Sequence, residues 1–287
     1  MSSQQLICKA NALVEARYRL STVEHRILLA CIAQIRRDDQ ALTDEVLYTV
    51  KGLDIAESAD IPRQVAYRDL KAAAERLFDR YISVPYGPDG DAQVEVRKFR
   101  WVQEVIYRER EGLIRLRFSK PVLPYLNQLT RQFTTYHLRD VAKMTSNHAI
   151  RLYELIMQWR QAGERKVEVQ WLKQAFQIED RYKSIRDLKR FVIDIATRQI
   201  NEHSPMWLEW DQIKTGRQVT AFHFRFGNKD EKSATGADRR QRLGEESILG
   251  IPKREIERLA HPGETYQQAA ARLAKSQHRS CPQSQPC

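Results

Sequence analysis

Apolar residues in this chain recur first at three- and four-residue steps and then at every second position, and that order is used twice. Ser21-Thr22-Val23-Glu24 has the S-x-x-E form of a capping box, in which hydroxyl and carboxylate each satisfy a backbone N–H at a helix start. Ile27, Leu28, Ala30, Cys31, Ile32 and Ile35 carry that helix onward, and Arg36-Arg37 suit its carbonyl end. Leu47-Tyr48-Thr49-Val50 reads as a short strand. Pro62 is expected at the first position of a second helix, where its missing N–H costs nothing. Val65, Ala66, Leu70, Ala73, Ala74 and Leu77 follow at helical spacing. Ile82–Val84, a turn over Pro85–Gly90, an extended Val94–Tyr107 and, after Glu111-Gly112, the basic strand Leu113–Phe118 complete a β-rich run.

The same order then returns. Ser146 caps a helix with Ile150, Leu152, Tyr153, Ile156 and Trp159 on its apolar face, ended by Ala162-Gly163. Val167–Gln170 alternates as a strand, Trp171–Phe176 forms a short helix, and a long helix is expected from about Tyr182 to Asn201. Met206–Trp210 and Val219–Phe226 alternate around the turn Lys214-Thr215-Gly216-Arg217. Helix, short strand, helix, then β-hairpin is the order of a winged helix. The chain is therefore expected to be α+β: two tandem winged-helix domains, over 1–143 and 144–227, plus a flexible C-terminal tail over 228–287. In that last stretch Asn228–Arg242 reads as a linker, Lys253–Leu259 and Tyr266–Leu273 as helices, and Ser280–Cys287 as disordered. Leu6, Leu13, Leu20 and Ile27 fall at steps of seven, but the capping box at Ser21 starts a new helix inside the run, which argues for packing over a zipper. Trp101, Trp159, Trp171, Trp207 and Trp210 are expected in the core.

Composition narrows the function. The 287 residues carry a formal charge of +11, and a basic surface gathers polyanions, of which nucleic acid is the commonest soluble one. No window approaches eighteen apolar residues, and Met1–Gln5 has neither a basic stretch nor an apolar run, so neither a membrane span nor a secretory signal is expected. Cys8, Cys31, Cys281 and Cys287 lack C-x-x-C spacing, which fits a bacterial cytoplasm better than a disulfide scaffold or zinc site.

The sharpest candidate chemistry lies in Arg181-Tyr182-Lys183-Ser184-Ile185-Arg186-Asp187-Leu188-Lys189-Arg190. Ile185, Leu188, Val192 and Ile195 form one apolar stripe, leaving Arg186, Lys189 and Arg190 opposite, with Arg181 and Lys183 at the start. A recognition helix needs this division: an apolar back on the domain, a basic front in the major groove. There Arg or Lys pairs with guanine, and Tyr182 or Ser184 meets a phosphate or base edge. The plain alternative is a solvated basic face. In the first copy Arg63, Tyr67 and Lys71 lie at i, i+4, i+8 with Arg68 beside them, and phosphate contacts are expected from this less basic helix. An ordinary surface helix has the same pattern. Lys214 and Arg217 would mark the tip of the second wing, or simply a polar turn. Arg115–Arg117 faces phosphate or solvent.

No lysine follows a glycine, which rules out a P-loop. There is no G-x-G-x-x-G, no paired-histidine motif among the seven histidines and no nucleophile elbow. Neither catalytic residues, nor a cofactor, nor a metal are therefore expected. Rival readings are a winged-helix transcriptional regulator without a replication role, an adaptor whose winged helices bind protein, and, further off, a nuclease or relaxase.

The chain resembles the iteron-binding plasmid replication initiators of the RepA/RepE type. The matching stretches are Asn11–Ala16, then Leu20-Ser21-x-x-Glu24 with Arg26–Leu29, Ser146-x-x-Ala149-x-Arg151-Leu152-Tyr153-Glu154-Leu155, and Tyr182 through Asn201, spanning roughly residues 6–227. Ile256-x-x-Leu259-Ala260-x-Pro262-Gly263-Glu264-Thr265 is similar to a segment near the end of such initiators. The resemblance implies pseudo-symmetric winged-helix domains that bind directly repeated double-stranded DNA at an origin as monomers. It implies that dimers, joined through the N-terminal domain, bind an inverted repeat and repress their own gene. It places base reading on Arg181, Lys183, Ser184, Arg186, Lys189 and Arg190, and names a host initiator and replicative helicase as partners.

Overall fold

The capping box forms as written. Ser21 Oγ accepts from Glu24 N, and the Glu24 carboxylate accepts from Ser21 N at 2.9 Å. The computed structural model describes residues 5–35, 42–88, 92–126, 129, 132–230, 247–248, 251–252 and 271–272, with side chains left out at 92–95. The chain divides into Met1–Gly227 and Asn228–Cys287.

The first unit opens with β1 (Leu6–Ala10), α1 (Asn11–Val14) and α2 (Thr22–Ile32), followed by β2 (Tyr48–Lys51), α3 (Gly52–Ala59) and α4 (Arg63–Leu77). Strands β3 (Tyr81–Tyr86) and β4 (Ala92–Arg100) pair with each other, and β5 (Val102–Arg108) with β6 (Leu113–Phe118) makes a hairpin. Because β2 also pairs with β6, the sheet order is β2-β6-β5, the arrangement of a winged helix. A 3₁₀ turn (Lys120–Tyr125), β7 (Phe133–His137), paired with β1, and α5 (Arg139–Ala142) lead into the second round. There α6 (Asn147–Gln158), β8 (Glu164–Glu168), α7 (Val169–Phe176) and α8 (Ile185–Leu188) are followed by a π turn (Lys189–Ile193) and α9 (Asp194–His203). Strands β9 (Met206–Thr215) and β10 (Gln218–Asn228) form the second hairpin, and the order β8-β10-β9 repeats that of the first sheet. The helix–turn–helix corners match as well: α3 and α7 each end on a left-handed residue, Asp60 (φ 57°) and Gln177 (φ 51°). In the second unit, β11 (Ser247–Ile248) pairs with β12 (Ile251–Pro252), and Ala271–Arg272 are helical. The rest of the expected tail helices and the segment 280–287 lie outside the described residues.

Several expectations shift. Pro62 is the N-cap of α4, one place before the expected position. The helix expected from Tyr182 starts at Ile185, since Tyr182 is left-handed (φ 51°) and Ser184 is the cap. Within it, Asp194 N bonds Lys189 O, an i→i+5 closure that adds a residue to one turn and rotates everything after it. The buried stripe is consequently Leu188, Val192, Ile193, Ala196 and Ile200, with Ile195 only half-buried. Of the five tryptophans Trp101 alone is core. Trp159, just past the end of α6, is 46% exposed, while Trp171, Trp207 and Trp210 are half-buried. The heptad residues Leu6, Leu13, Leu20 and Ile27 fall on a strand, two helices and a loop, so they pack and do not zip.

One continuous apolar cluster, from Ile7 to Phe226, serves both winged helices. Lys9, Arg151 and Glu154 are charged groups buried within it. Glu154, fully buried on α6, accepts from Lys9 Nζ (2.5 Å), Tyr136 OH (2.5 Å) and Tyr18 OH (3.3 Å). Arg151, one turn earlier, donates to the carbonyls of Val14 (3.0 Å), Ala16 (2.7 Å) and Ala175 (3.3 Å) and lies 3.8 Å from the Tyr18 ring. A second lock, nearer the surface, joins Arg165 to Glu15 at 2.7 Å, with Tyr86 and Gln158 donating to the same carboxylate. Buried charges persist only when paired and hydrogen-bonded. Both locks bridge the chain start to α6–β8, which holds the two winged helices as one body.

Candidate nucleic-acid interface

The second recognition element is built from Ser184 outward. Its Oγ accepts from Arg186 N at 3.1 Å, starting the helix. Lys173 Nζ on α7 donates to Tyr182 O at 3.0 Å, which holds the left-handed turn ahead of it. The Tyr182 ring stacks on Phe191 (6.4 Å) and meets His148 edge-on (6.4 Å). With Leu188 buried beneath, Arg181, Lys183, Ser184, Arg186 and Arg190 are exposed. Lys189 is half-buried and donates to Gln212 on β9 at 3.1 Å. Arg190 lies over Phe191, itself 44% exposed. At the wing tip the two-residue turn Gly216-Arg217, with positive φ (61°) at its first position, leaves Lys214 and Arg217 exposed. The side chains of Arg181, Lys183, Arg186, Lys214 and Arg217 make no ion pair with an acid among the described residues. Unpaired, exposed cations on a rigid scaffold can neutralise phosphates without first breaking an internal bond.

The first copy uses its charges differently. On α4, Ala66, Leu70, Ala73, Ala74 and Leu77 are buried, and Arg63, Arg68 and Lys71 are exposed. Arg68 pairs with Asp69 at 2.9 Å and Lys71 with Glu109 of the wing at 3.7 Å. Tyr67 is half-buried against the wing turn. Gly112 there has φ 58°, and a Cβ added to it would lie 1.8 Å from the Tyr67 ring. Gly52 N bonds Gly112 O at 2.8 Å beside it. The ring expected to face DNA is thus occupied in packing, because only glycine leaves room for it. Arg117 pairs with Glu104 at 3.1 Å, and Arg115 is half-buried. Among these first-copy cations, Arg63 has no side-chain partner among the described residues.

Neighbouring cations act on one another beside the Arg181–Arg190 segment. Burial lowers His148 to about 4, and the charges of Arg19, Arg181 and Arg151 add to that effect. Burial also lowers Arg19, with Arg181 and Arg80 pressing the same way. Arg19 was missed from the sequence, since Arg181, whose charge acts on it, lies 162 positions away. The Arg151–Glu154 pair was visible, as two charges inside an otherwise apolar helical face. Among the described residues no group of three or more His, Cys, Asp or Glu is placed to hold a metal ion, and no helix is long and apolar enough to cross a membrane.

Comparison with known proteins agrees with this frame. Residues 6–157 match the family model described as Initiator Replication protein, WH1, and residues 168–226 match Initiator Rep protein, WH2. An uncharacterized 27.6 kDa protein of Escherichia coli is 30% identical over 218 residues, covering 73% of this chain and 90% of its own. A replication initiation protein of Escherichia coli is 26% identical over 230 residues, covering 77% and 69%. The fold is shared with the Pi initiator protein solved in complex with iteron DNA, at TM-score 0.65 and 21% identity, covering 79% of this chain and 98% of that one. With family models spanning both winged helices, the chain belongs to the initiator replication protein family.

Proposed function

We propose that this protein starts plasmid replication by binding repeated double-stranded DNA sites at an origin, acting through binding and not through covalent chemistry. Base reading falls to Arg181, Tyr182, Lys183, Ser184, Arg186, Lys189 and Arg190, assisted by Lys214 and Arg217. Arg63, Arg68 and Lys71 add phosphate contacts, with Tyr67 in a supporting place. The single observation that carries this is the set of exposed cations Arg181, Lys183, Arg186, Lys214 and Arg217, at the helix start and the second wing, that make no ion pair among the described residues. The Pi initiator's complex with iteron DNA supports the same duplex class. We place the working boundary between the winged helices at 143/144. The dimer interface and autorepression are assigned to the N-terminal domain, in a bacterial cytoplasm.

The test uses tandem repeats taken from the DNA beside the gene. Specific and random duplexes compete for the full chain and for Arg186→Ala and Lys189→Ala. A good bidentate contact is worth about 1–3 kcal/mol of discrimination, so each variant loses selectivity for the repeats. Unchanged selectivity in both would remove the helix from the reading role. An absence of tandem repeats, with a lone operator in their place, would favour a regulator.

A further inference from the structure

Where the start of α2 meets the start of α6, the surface folds into a cleft of about 440 Å³ lined by Arg19, Leu20, Ser21, Thr22, Arg80 and Asn147. Thr22 and Asn147 are the first residues of helices 11 and 12 residues long. Ser21 and Ser146 cap the N–H groups of Glu24 and Ala149, which leaves the N–H groups of the first two residues of each helix outside the helical pattern, and both helix dipoles present their positive ends to this space. Arg19 is exposed, and its side chain makes no hydrogen bond or ion pair among the described residues. Arg80, half-buried, is held by the Glu24 carboxylate at 2.8 and 2.9 Å. Glu24 is the acid acting on this cluster, and it already serves Arg76, Arg80 and the Ser21 N–H. Burial pushes its carboxyl up, yet those donors outweigh burial and hold it ionised. Arg19 and Arg80 therefore stand together with one acid between them, and that acid is already claimed.

The cleft adjoins the reading surface. His148, next to Asn147 on α6, meets the Tyr182 ring edge-on, and Arg181 is close enough to weigh on both Arg19 and His148. Positive charge thus continues from the recognition segment, past Arg181, into the space between the two helix starts. A phosphate is the group such a place accommodates: singly or doubly negative, with several oxygens to accept N–H bonds from two directions.

We propose that this cleft seats a backbone phosphate of the same duplex that the Arg181–Arg190 segment reads, with Arg19 as its cation and the N–H groups of Thr22, Val23, Asn147 and His148 as donors. The inference rests on the reading given under Proposed function. It extends the interface beyond the recognition helix and wing to the point where the two winged helices join.

The experiment measures the salt dependence of the full chain on a labelled random-sequence duplex, where no base is read. Each neutralised phosphate contributes about 0.9 to the slope of log K against log salt. Arg19→Gln is expected to reduce that slope by about 0.9. The salt step from about 50 to about 200 mM then costs the unaltered chain about 3.5-fold more affinity than the variant. Arg19→Lys restores the slope. Arg19 is exposed, so the substitution leaves the fold in place, whereas Arg80 would disturb Glu24. A parallel arm follows thermal melting without DNA as inorganic phosphate is added. An unchanged slope in Arg19→Gln, with phosphate stabilising the unaltered chain and not the variant, would overturn the DNA source and assign the cleft to a free phosphate group. An unchanged slope with no phosphate effect would overturn the site altogether. Failure of the base-reading assignment shows elsewhere, in the selectivity of Arg186→Ala, and leaves the random-duplex slope as an independent result.

Discussion

The two winged helices share one plan and treat their surface charge in opposite ways. In the first, Arg68 and Lys71 are answered by Asp69 and Glu109, the wing tip alternates Arg108, Glu109, Arg110 and Glu111 with Arg108 paired to Glu111, and Tyr67 fills the angle between helix and wing. In the second, five cations around the helix start and wing tip meet no acid among the described residues. The Gly216 turn is open, with nothing within 4 Å of an added Cβ. A salt-bridged surface cation gives up an existing partner before it meets a phosphate, while an unpaired one gives up only water. The plan is common to both halves, and the local charge partners leave the second with more unpaired cations at its helix start and wing tip.

What the halves have in common gives the largest expected effect. Glu154→Gln keeps the shape of the side chain but leaves Lys9 in the core without its acid partner, a change that typically costs about 3–5 kcal/mol. Urea unfolding should show that loss in a single transition. Two separate transitions, with only one shifted, would break the picture of a joint core. Next comes the pair of wing glycines. Gly112→Ala combines a left-handed backbone with a clash against Tyr67 and should destabilise by about 2–4 kcal/mol. Gly216→Ala, at nearly the same φ in open space, should cost only about 1–2 kcal/mol. Equal losses would mean that Tyr67 does not brace the first wing.

Acid separates the halves more finely. Burial lowers His25, in the first half, to about 3 and His148, in the second, to about 4, from an ordinary 6.5. Their folded values lie below the unfolded one, so the unfolded chain binds more protons and stability falls as pH drops. The window runs from about 6.5 downward, to about 3 for His25 and about 4 for His148. The effect is on the order of 2–3 kcal/mol for each histidine by pH 4.5. Burial raises Glu154, but Lys9 and Arg151 outweigh it and bring the group to about 2, so its own loss falls between about 4.5 and 2. Denaturation profiles of His148→Phe, whose ring would keep the stacking on Phe176, should be flatter between pH 6.5 and 4.5. An unchanged profile would show that His148 contributes nothing there. The smallest effect tests the charge contrast directly. Asp69→Asn with Glu109→Gln frees Arg68 and Lys71, and the salt slope on random duplex should steepen by up to about 1–2. If it does not, the pairing is not what weakens the first copy.

Much of this frame was legible in the sequence, because caps and periodicity are local. The capping box, the Ser146 cap, the strand alternation and the repeated order all depend on residues a few positions apart. Legibility ended where distant or conformational terms decide. Nothing in Lys71 announces Glu109, which the hairpin brings back from 38 positions away. The left-handed Tyr182 is held by Lys173, and the π turn breaks the period from which Ile195 was placed on the buried stripe. Trp159 carries a core residue's hydrophobicity but sits past its helix end, beside Arg165.

The joint core also has a geometric consequence for whatever duplex the protein grips. Two contact surfaces welded into one body act as a fixed gauge, and B-DNA turns about 34° with each added base pair. Single-base changes outside the read positions leave such a gauge in step with its target. A one-pair insertion midway rotates one set of phosphates out from under its cations, so spacing in the site should be less forgiving than composition.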